Sequence, residues 1–309
     1  MGTATDARPF VHPALFYRSE EQYTAGTVPF VREGLAAGEA VAVAVPGPHV
    51  DLIRAGLGPG GAGVRFLDMT EVGRNPGRII PGVLRAFADA HSGGRVRIIG
   101  EPIWPGRTAV EYPACVQHEA LINSAFEERE LTILCPYDAD RLAPEVLADA
   151  RATHPIVLDG HAQPADGTYD PERIIARYNE PLVHPPDAAS LAFDTGELPK
   201  SRCFAVQEAE RLGLADPRLH DLALAVAELT TNSVVHGGGS GTLRIWAEDG
   251  QIVCEVEDGG RLTDPLAGRR PPSRDLPGGR GLLLVHSVAD LVRVHTAPDG
   301  TTIRFYLAR

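Results

Sequence analysis

Cysteine, methionine and aromatic residues are scarce in this chain. The four cysteines, Cys115, Cys135, Cys203 and Cys254, form no CxxC pair, so the closely spaced ligand pairs of a structural zinc site are missing. All four lie in apolar stretches, where a free thiol packs as a small hydrophobe. They are expected to be reduced core residues of a cytoplasmic protein. No apolar run approaches the roughly 20 residues that span a bilayer, and residues 1–10 carry no apolar signal core. A membrane partner is therefore not expected. Positive charge is short as well. The 309 residues carry a formal net charge of -12, which repels a phosphate backbone. The one basic concentration, Arg269, Arg270 and Arg274, is too small for a nucleic-acid face. GxxxxGK followed by Ser or Thr does not occur, so no phosphate loop of that kind is expected in the first half.

What the chain does contain divides it in two, as its length suggests. The first half alternates short apolar runs with helical patterns. Strands are predicted at 41–45, 64–67, 96–99 and 131–135, and helices at 50–57, 79–90, 112–126 and 142–150. Continuous apolar strands separated by helices predict an α/β domain with a parallel sheet covered on both faces. From Asp159 to Asp187, Pro164, Pro171, Pro181, Pro185 and Pro186 crowd a polar stretch. Proline at that density blocks regular helix and removes strand donors, and predicts a linker. The second half predicts helices at 201–212, from Asp216-Pro217 to 236, and from Gly281 to 289. Asp216 is the expected N-cap and Pro217 the first helical residue. Strands are predicted at 242–247, 252–257, 291–296 and 302–307. Helices on one face of a mixed sheet make an α+β sandwich.

Three features of the second half could carry chemistry. Glu228, Asn232 and His236 stand at i, i+4 and i+8 and share a helix face, opposite Leu222, Ala225, Val226 and Leu229. A carboxylate and an amide one turn apart can hold a hard cation and take a proton; the same triplet also describes an ordinary solvated face. Asp258 ends a strand and is followed by Gly259 and Gly260. An acid there can accept from an exocyclic amine while glycine lets a flat base approach; a strand-end turn uses the same residues. Gly278-Gly279-Arg280-Gly281-Leu282 leads into a helix, whose free N–H groups suit phosphate oxygens, although glycine turns are common. Gly300-Thr301-Thr302 opens the last strand.

The order of these features, with "AVAELTTNSVVHGG" as the first, resembles the GHKL (Bergerat) ATPases and, within them, the anti-sigma-factor serine kinases. The resemblance covers 190–309. It implies that Asn232 holds Mg²⁺ against the phosphates of ATP, that Glu228 is the general base, and that Asp258 with Gly260 reads adenine. It implies that Gly279, Arg280, Gly281 and Leu282 form the phosphate-side turn and Thr301 a second contact near the base, with His236 at the end of the first helix. The second box usually reads Asp-x-Gly-x-Gly; Leu262 stands in place of its last glycine. The loop 261–277, the ATP lid of the family, carries Pro271-Pro272 and three arginines that could meet phosphates or solvent.

"LFYRSEEQY", "GEAVAVAVP", "GEPIWPGR" and "LTILCPYDA" resemble the MEDS sensory domain, from His12 to His154, with a fold similar to RecA/KaiC-type ATPases. Glu101, Trp104, Tyr137 and Asp138 fall near predicted strand ends, where open α/β sheets place ligands; structural roles suit them equally. The organisation expected is therefore a MEDS-like sensory domain at 12–158, a Pro-rich linker at 159–189 and a GHKL domain at 190–309. The resemblance implies a cytoplasmic Mg-ATP-dependent serine kinase of a STAS-type anti-anti-sigma protein, with a sigma factor as a further partner and homodimerisation open. A non-catalytic module that sequesters such partners is one alternative. A sensor histidine kinase is the other. It would need a helical hairpin before the ATPase domain, which the prolines around His184 forbid.

Overall fold

The computed structural model describes residues 10–164, 167–270 and 279–309, with backbone alone at 161–164. They group into two compact units. One comprises residues up to Gly73 and Gly82–Tyr178, and the other Arg74–Pro81 and Asn179–Arg309.

The first unit is built on an eight-stranded sheet. Its elements are β1 Phe10–Val11, β2 Pro13–Tyr17, α1 Glu20–Ala36, β3 Ala40–Val45, α2 Gly47–Leu57, β4 Arg65–Asp68, α3 Met69–Val72, α4 Ala86–Ala90, β5 Val96–Gly100, α5 Tyr112–Phe126, β6 Leu131–Asp138, α6 Pro144–Thr153, β7 Ile156–Asp159, β8 His161–Pro164 and α7 Pro171–Arg177. The strand order is β4-β3-β5-β6-β2-β7-β8, and β1 also pairs with β6. Every pairing is parallel except β7–β8, a tight hairpin. The apolar runs predicted at 41–45, 96–99 and 131–135 are largely buried, as strands covered on both faces require, whereas 64–67 falls on the edge strand β4 and is only partly buried. The central β2 and the helix α1 had no clear signal. Pro29 and the β-branched Thr24, Thr27 and Val28 blur the helical pattern of α1, which Ser19 caps by accepting from Gln22 N. The predicted helix at 79–90 is a π-helical stretch, Ile79–Arg85, running into α4. The Pro-rich stretch is not without regular structure: β8 and α7 fall inside it. Asp170 caps α7 by accepting from Arg173 N at 2.9 Å, with Pro171 just inside the helix.

The second unit contains β9 Ala189–Asp194, α8 Leu198–Arg211, α9 Arg218–His236, β10 Ser240–Glu248, β11 Gln251–Asp258, α10 Gly281–Val288, β12 Leu291–Ala297 and β13 Gly300–Ala308. The sheet order is β12-β13-β11-β10-β9. It is antiparallel throughout, not mixed as expected. The down-and-up pair α8–α9 returns the chain to the end it left, so β10 must run against β9. The turn at Asp249-Gly250, both at positive φ, reverses β10 into β11.

Helices α8, α9 and α10 lie on one face of this sheet. Leu222, Ala225, Val226 and Leu229 of α9 and Val285 of α10 pack on Leu243, Ile245, Cys254, Val256 and Phe305. The alternation along β11 does not leave its other face open. Glu255 is buried there, its Oε2 accepting from Arg304 Nη2 at 2.5 Å, and Val253 is buried beside it. The start of α9 also differs from expectation. It begins at Arg218 with no side-chain cap. Asp216 lies instead 2.9 Å from His220 Nδ1.

Candidate functional site

The buried apolar stripe of α9 fixes which face looks outward. Glu228 and Asn232 are half-buried on that outer side, and neither side chain makes a hydrogen bond or ion pair among the described residues. His236, the last residue of the helix, is exposed. Its carbonyl, not its ring, meets the site: a Cβ on Gly260 would stand 2.5 Å from His236 O.

Beside the end of α9 the strands make a flat glycine floor. Asp258 accepts from Ser233 Oγ at 2.6 Å through Oδ2 and from Gly260 N at 2.8 Å through Oδ1. Each oxygen keeps a lone pair, so the carboxylate is fixed in direction and still able to accept. Gly237 lies under it; a Cβ there would fall 2.4 Å from Asp258 Cγ. Thr301 pairs in register with Asp258 across the β11–β13 ladder. Its hydroxyl donates to Gly260 O at 2.8 Å and accepts from Leu262 N at 3.1 Å. Leu262, which replaces a glycine of the usual box, packs against the core, and its N–H is held by Thr296 and Thr301.

The glycine turn closes the other side. Gly279 has φ +76°, and Arg280 stands at the N-cap of α10 without a side-chain capping bond. The first intrahelical donor is Leu284 N, to Arg280 O, so the preceding N–H groups of the first turn have no helical partner. Gly281 faces α9 directly: a Cβ there would sit 2.6 Å from Glu228 Oε2 and 3.2 Å from Asn232 Nδ2. Leu282 turns its side chain into the core, so only its backbone can serve an anion. A carboxylate and an amide without partners among the described residues, beside helix N–H groups with no helical partner, are a donor set that fits a hard cation with phosphate oxygens. Gly278 and Arg274 lie outside the described residues.

The lid arginines do not act alike. Arg270 is exposed, 3.5 Å from Asp264. Arg269 is buried rather than solvated, and its charge acts on His286. Burial first, and then Arg269 and Arg78, push the His286 imidazole well below its ordinary range. Sequence reading also missed how α10 ends. Asn75 Nδ2 and Arg78 Nε both donate to His286 O at 2.9 Å, and Arg78 Nη2 donates to Ala289 O at 2.8 Å. These donors serve carbonyls the helix itself leaves open, with Arg78 at its negative end. They lie more than 200 residues away in sequence, so no local signal could reveal them.

In the first unit Glu101 follows β5 and is fully buried. It accepts from Tyr17 OH at 3.3 Å and Tyr23 OH at 3.2 Å, and lies 2.8 Å from His49 Nδ1. Burial raises its pKa despite these partners. None of the other three candidates bonds to it, although the charge of Asp138 also acts on Tyr17 and His49. Asp138 accepts from the N–H groups of Asp140 and Arg141. Trp104 stacks under Arg107, and Tyr137 is buried in the core. Of the cysteines, none of which forms a disulfide, Cys115, Cys135 and Cys254 are buried, but Cys203 is exposed on α8, against the expectation of a core residue. No helix among the described residues is long and apolar enough to cross a membrane.

Residues 11–155 match the family model of the MEDS domain, "MEthanogen/methylotroph, DcmR Sensory domain". Residues 191–307 match that of the histidine kinase-like ATPase domain. No curated protein matches the chain. Among solved structures, the RsbU and RsbW domains of Rv1364c from Mycobacterium tuberculosis are similar at 17% identity with a TM-score of 0.30. That likeness covers 39% of this chain and about a third (32%) of the other. The histidine kinase AdeS of Acinetobacter baumannii is similar at 10% identity with a TM-score of 0.24, over 64% of this chain and 96% of the other. Likenesses this weak carry no argument. The matched regions, together with an α/β parallel-sheet unit and an α+β sandwich, show that the chain joins a MEDS domain to a histidine kinase-like ATPase domain.

Proposed function

We propose that the second unit is a Mg-ATP-dependent protein serine kinase whose substrate is a STAS-type anti-anti-sigma protein, and that the MEDS domain controls it. The observation that carries this reading is the approach of Gly281 to Glu228 and Asn232, a carboxylate and an amide that have no partners among the described residues, beside the N-terminus of α10. When bound, Mg-ATP supplies the transferable phosphoryl group and the cation that neutralises its charge. The chain's own residues would do the rest. Asp258, fixed by Ser233 and Gly260, accepts from an exocyclic amine above the glycine floor. The first N–H groups of α10 orient phosphate oxygens, and Asn232 Oδ1 offers a neutral cation ligand. Glu228 takes the proton of an acceptor hydroxyl. Positioning and electrostatics supply most of the catalysis in phosphoryl transfer.

The test is a phosphotransfer assay with STAS-type proteins from the same genome. Mg-dependent transfer to a serine, abolished in Glu228→Ala while ATP still binds, is the expected result. ATP binding without transfer to any of them would favour a second reading, a module that binds and sequesters partners without chemistry. Leu262 favours that reading: a bulky side chain and a tied N–H replace a glycine where the lid begins.

A further inference from the structure

The first unit holds a buried side-chain cluster with no part in the nucleotide site. His12 occupies the one-residue break between β1 and β2, next to Pro13, which has no N–H to give the ladder. Glu119 lies on α5, Cys135 on β6, and His154 directly after α6. All four side chains are buried, and one donor atom from each lies within 4.8 Å of the others. His12 Nε2 is 3.3 Å from Cys135 Sγ and 3.4 Å from Glu119 Oε2. His154 Nε2 is 3.0 Å from the same oxygen.

The surroundings decide which atoms carry protons. Asn123 Nδ2 donates to Thr153 O at 2.8 Å, which leaves Asn123 Oδ1 to accept from His12 Nδ1 at 3.2 Å. His154 Nδ1 donates to Ala150 O at 2.8 Å. Both rings thus spend their Nδ1–H outward, and in neutral imidazole Nε2 is then a bare lone pair. Two such nitrogens, a carboxylate and a sulfur face one another. Neither oxygen of Glu119 nor Nε2 of His154 has a partner in hydrogen-bond geometry, although His154 Nε2 lies 3.0 Å from Oε2. Protonating both rings instead would put two cations beside one carboxylate without solvent, with ring centroids 4.0 Å apart.

We propose that His12, Glu119, Cys135 and His154 bind one divalent transition metal, with zinc the best fit. Two imidazoles, one thiolate and one carboxylate suit a borderline ion in tetrahedral geometry. Zinc bond lengths of about 2.0–2.3 Å place tetrahedral ligands about 3.3–3.6 Å apart, close to the contacts present. The charge also balances. Binding releases the Cys135 proton, and M²⁺ with one thiolate and one carboxylate is neutral, as a buried site requires. Hydrogen bonds that orient both rings by their outer nitrogens are the usual support of histidine ligands. The ligands come from four separate segments, so the metal ties the β1–β2 break, α5, β6 and the residue after α6 together, and no paired motif announces it.

The test is elemental analysis of the full-length protein purified without chelator, together with Co²⁺ reconstitution in the absence of nucleotide. About one equivalent of metal per chain is expected, with visible absorption of tetrahedral cobalt and a thiolate-to-cobalt band. Cys135→Ser and His154→Gln should lose both, and Cys203→Ser should keep both. Should the ligand variants fail to fold, chelator-stripped wild type carries the test: its Tm should drop and return with Zn²⁺ but not Mg²⁺. A folded wild type that contains no metal and takes up no Co²⁺ would overturn the proposal. So would metal retained in folded Cys135→Ser with an unchanged spectrum.

Discussion

Gly281→Ala separates the fold of the second unit from its chemistry. Gly281 is the first residue of α10, where alanine favours helix over glycine by about 0.5–1 kcal/mol. The added Cβ would lie 2.6 Å from Glu228 Oε2, the free end of a flexible side chain, and 3.2 Å from Asn232 Nδ2. Glu228 must swing away, at a rotamer cost of about 0.5–1.5 kcal/mol. The two terms offset, so the unfolding midpoint should scarcely move. Asn232 need shift only slightly, so Mg-dependent ATP affinity should stay within about threefold. The displaced base is another matter: a misplacement near 1 Å costs on the order of 10²-fold in rate. Calorimetry, a thermal melt and a phosphotransfer time course on one preparation read all three. Transfer at the wild-type rate would refute the role given to Glu228 and the contact it rests on.

Asp258→Asn should keep one acceptor but lose the carboxylate that meets an amine, so ATP affinity should fall at least tenfold and preference over GTP should shrink; unchanged preference in competition calorimetry would contradict the adenine assignment. Asn75→Ala removes a buried amide that donates to His286 O and accepts from Gly77 N. It should destabilise the second unit by about 1–3 kcal/mol, read as a lower denaturant midpoint; an unchanged midpoint would contradict the capping role. His286 is held neutral, with its folded pKa below the unfolded value near 6.5. The unfolded chain therefore binds the extra proton first. Stability is full above about pH 6.5 and falls by about 1.4 kcal/mol per pH unit as pH drops through the window down to the folded pKa. His286→Gln should flatten that acid limb in melts between pH 7.5 and 5; an identical slope would refute the assignment.

What could be read in advance follows the range of the interactions. The apolar stripe of α9 is local, so the outward placement of Glu228 and Asn232 was legible from spacing. The same holds for Asp258 at a strand end and for the glycine entry to α10. The antiparallel course of the second sheet was not, because it depends on where the α8–α9 pair returns the chain. Arg269 sits in a polar loop whose local composition predicts solvent, but its burial is set by elements distant in sequence. The cap on α10 from Asn75 and Arg78 and the cluster of His12, Glu119, Cys135 and His154 join residues far apart in sequence. Each is an unremarkable polar residue where it stands, so spacing rules had nothing to find.

Glu228, Asn232, Asp258 and the turn at Gly279–Gly281 are proposed to form a working Mg-ATP site. Titration calorimetry of ATP into the full-length protein, with and without Mg²⁺ and in parallel with Asn232→Ala, tests it most directly. One ATP per chain is expected, dependent on Mg²⁺, with that dependence lost in the variant. A folded wild-type protein that binds no ATP at any Mg²⁺ concentration, or an Asn232→Ala variant with the same affinity and the same Mg²⁺ dependence, would contradict it.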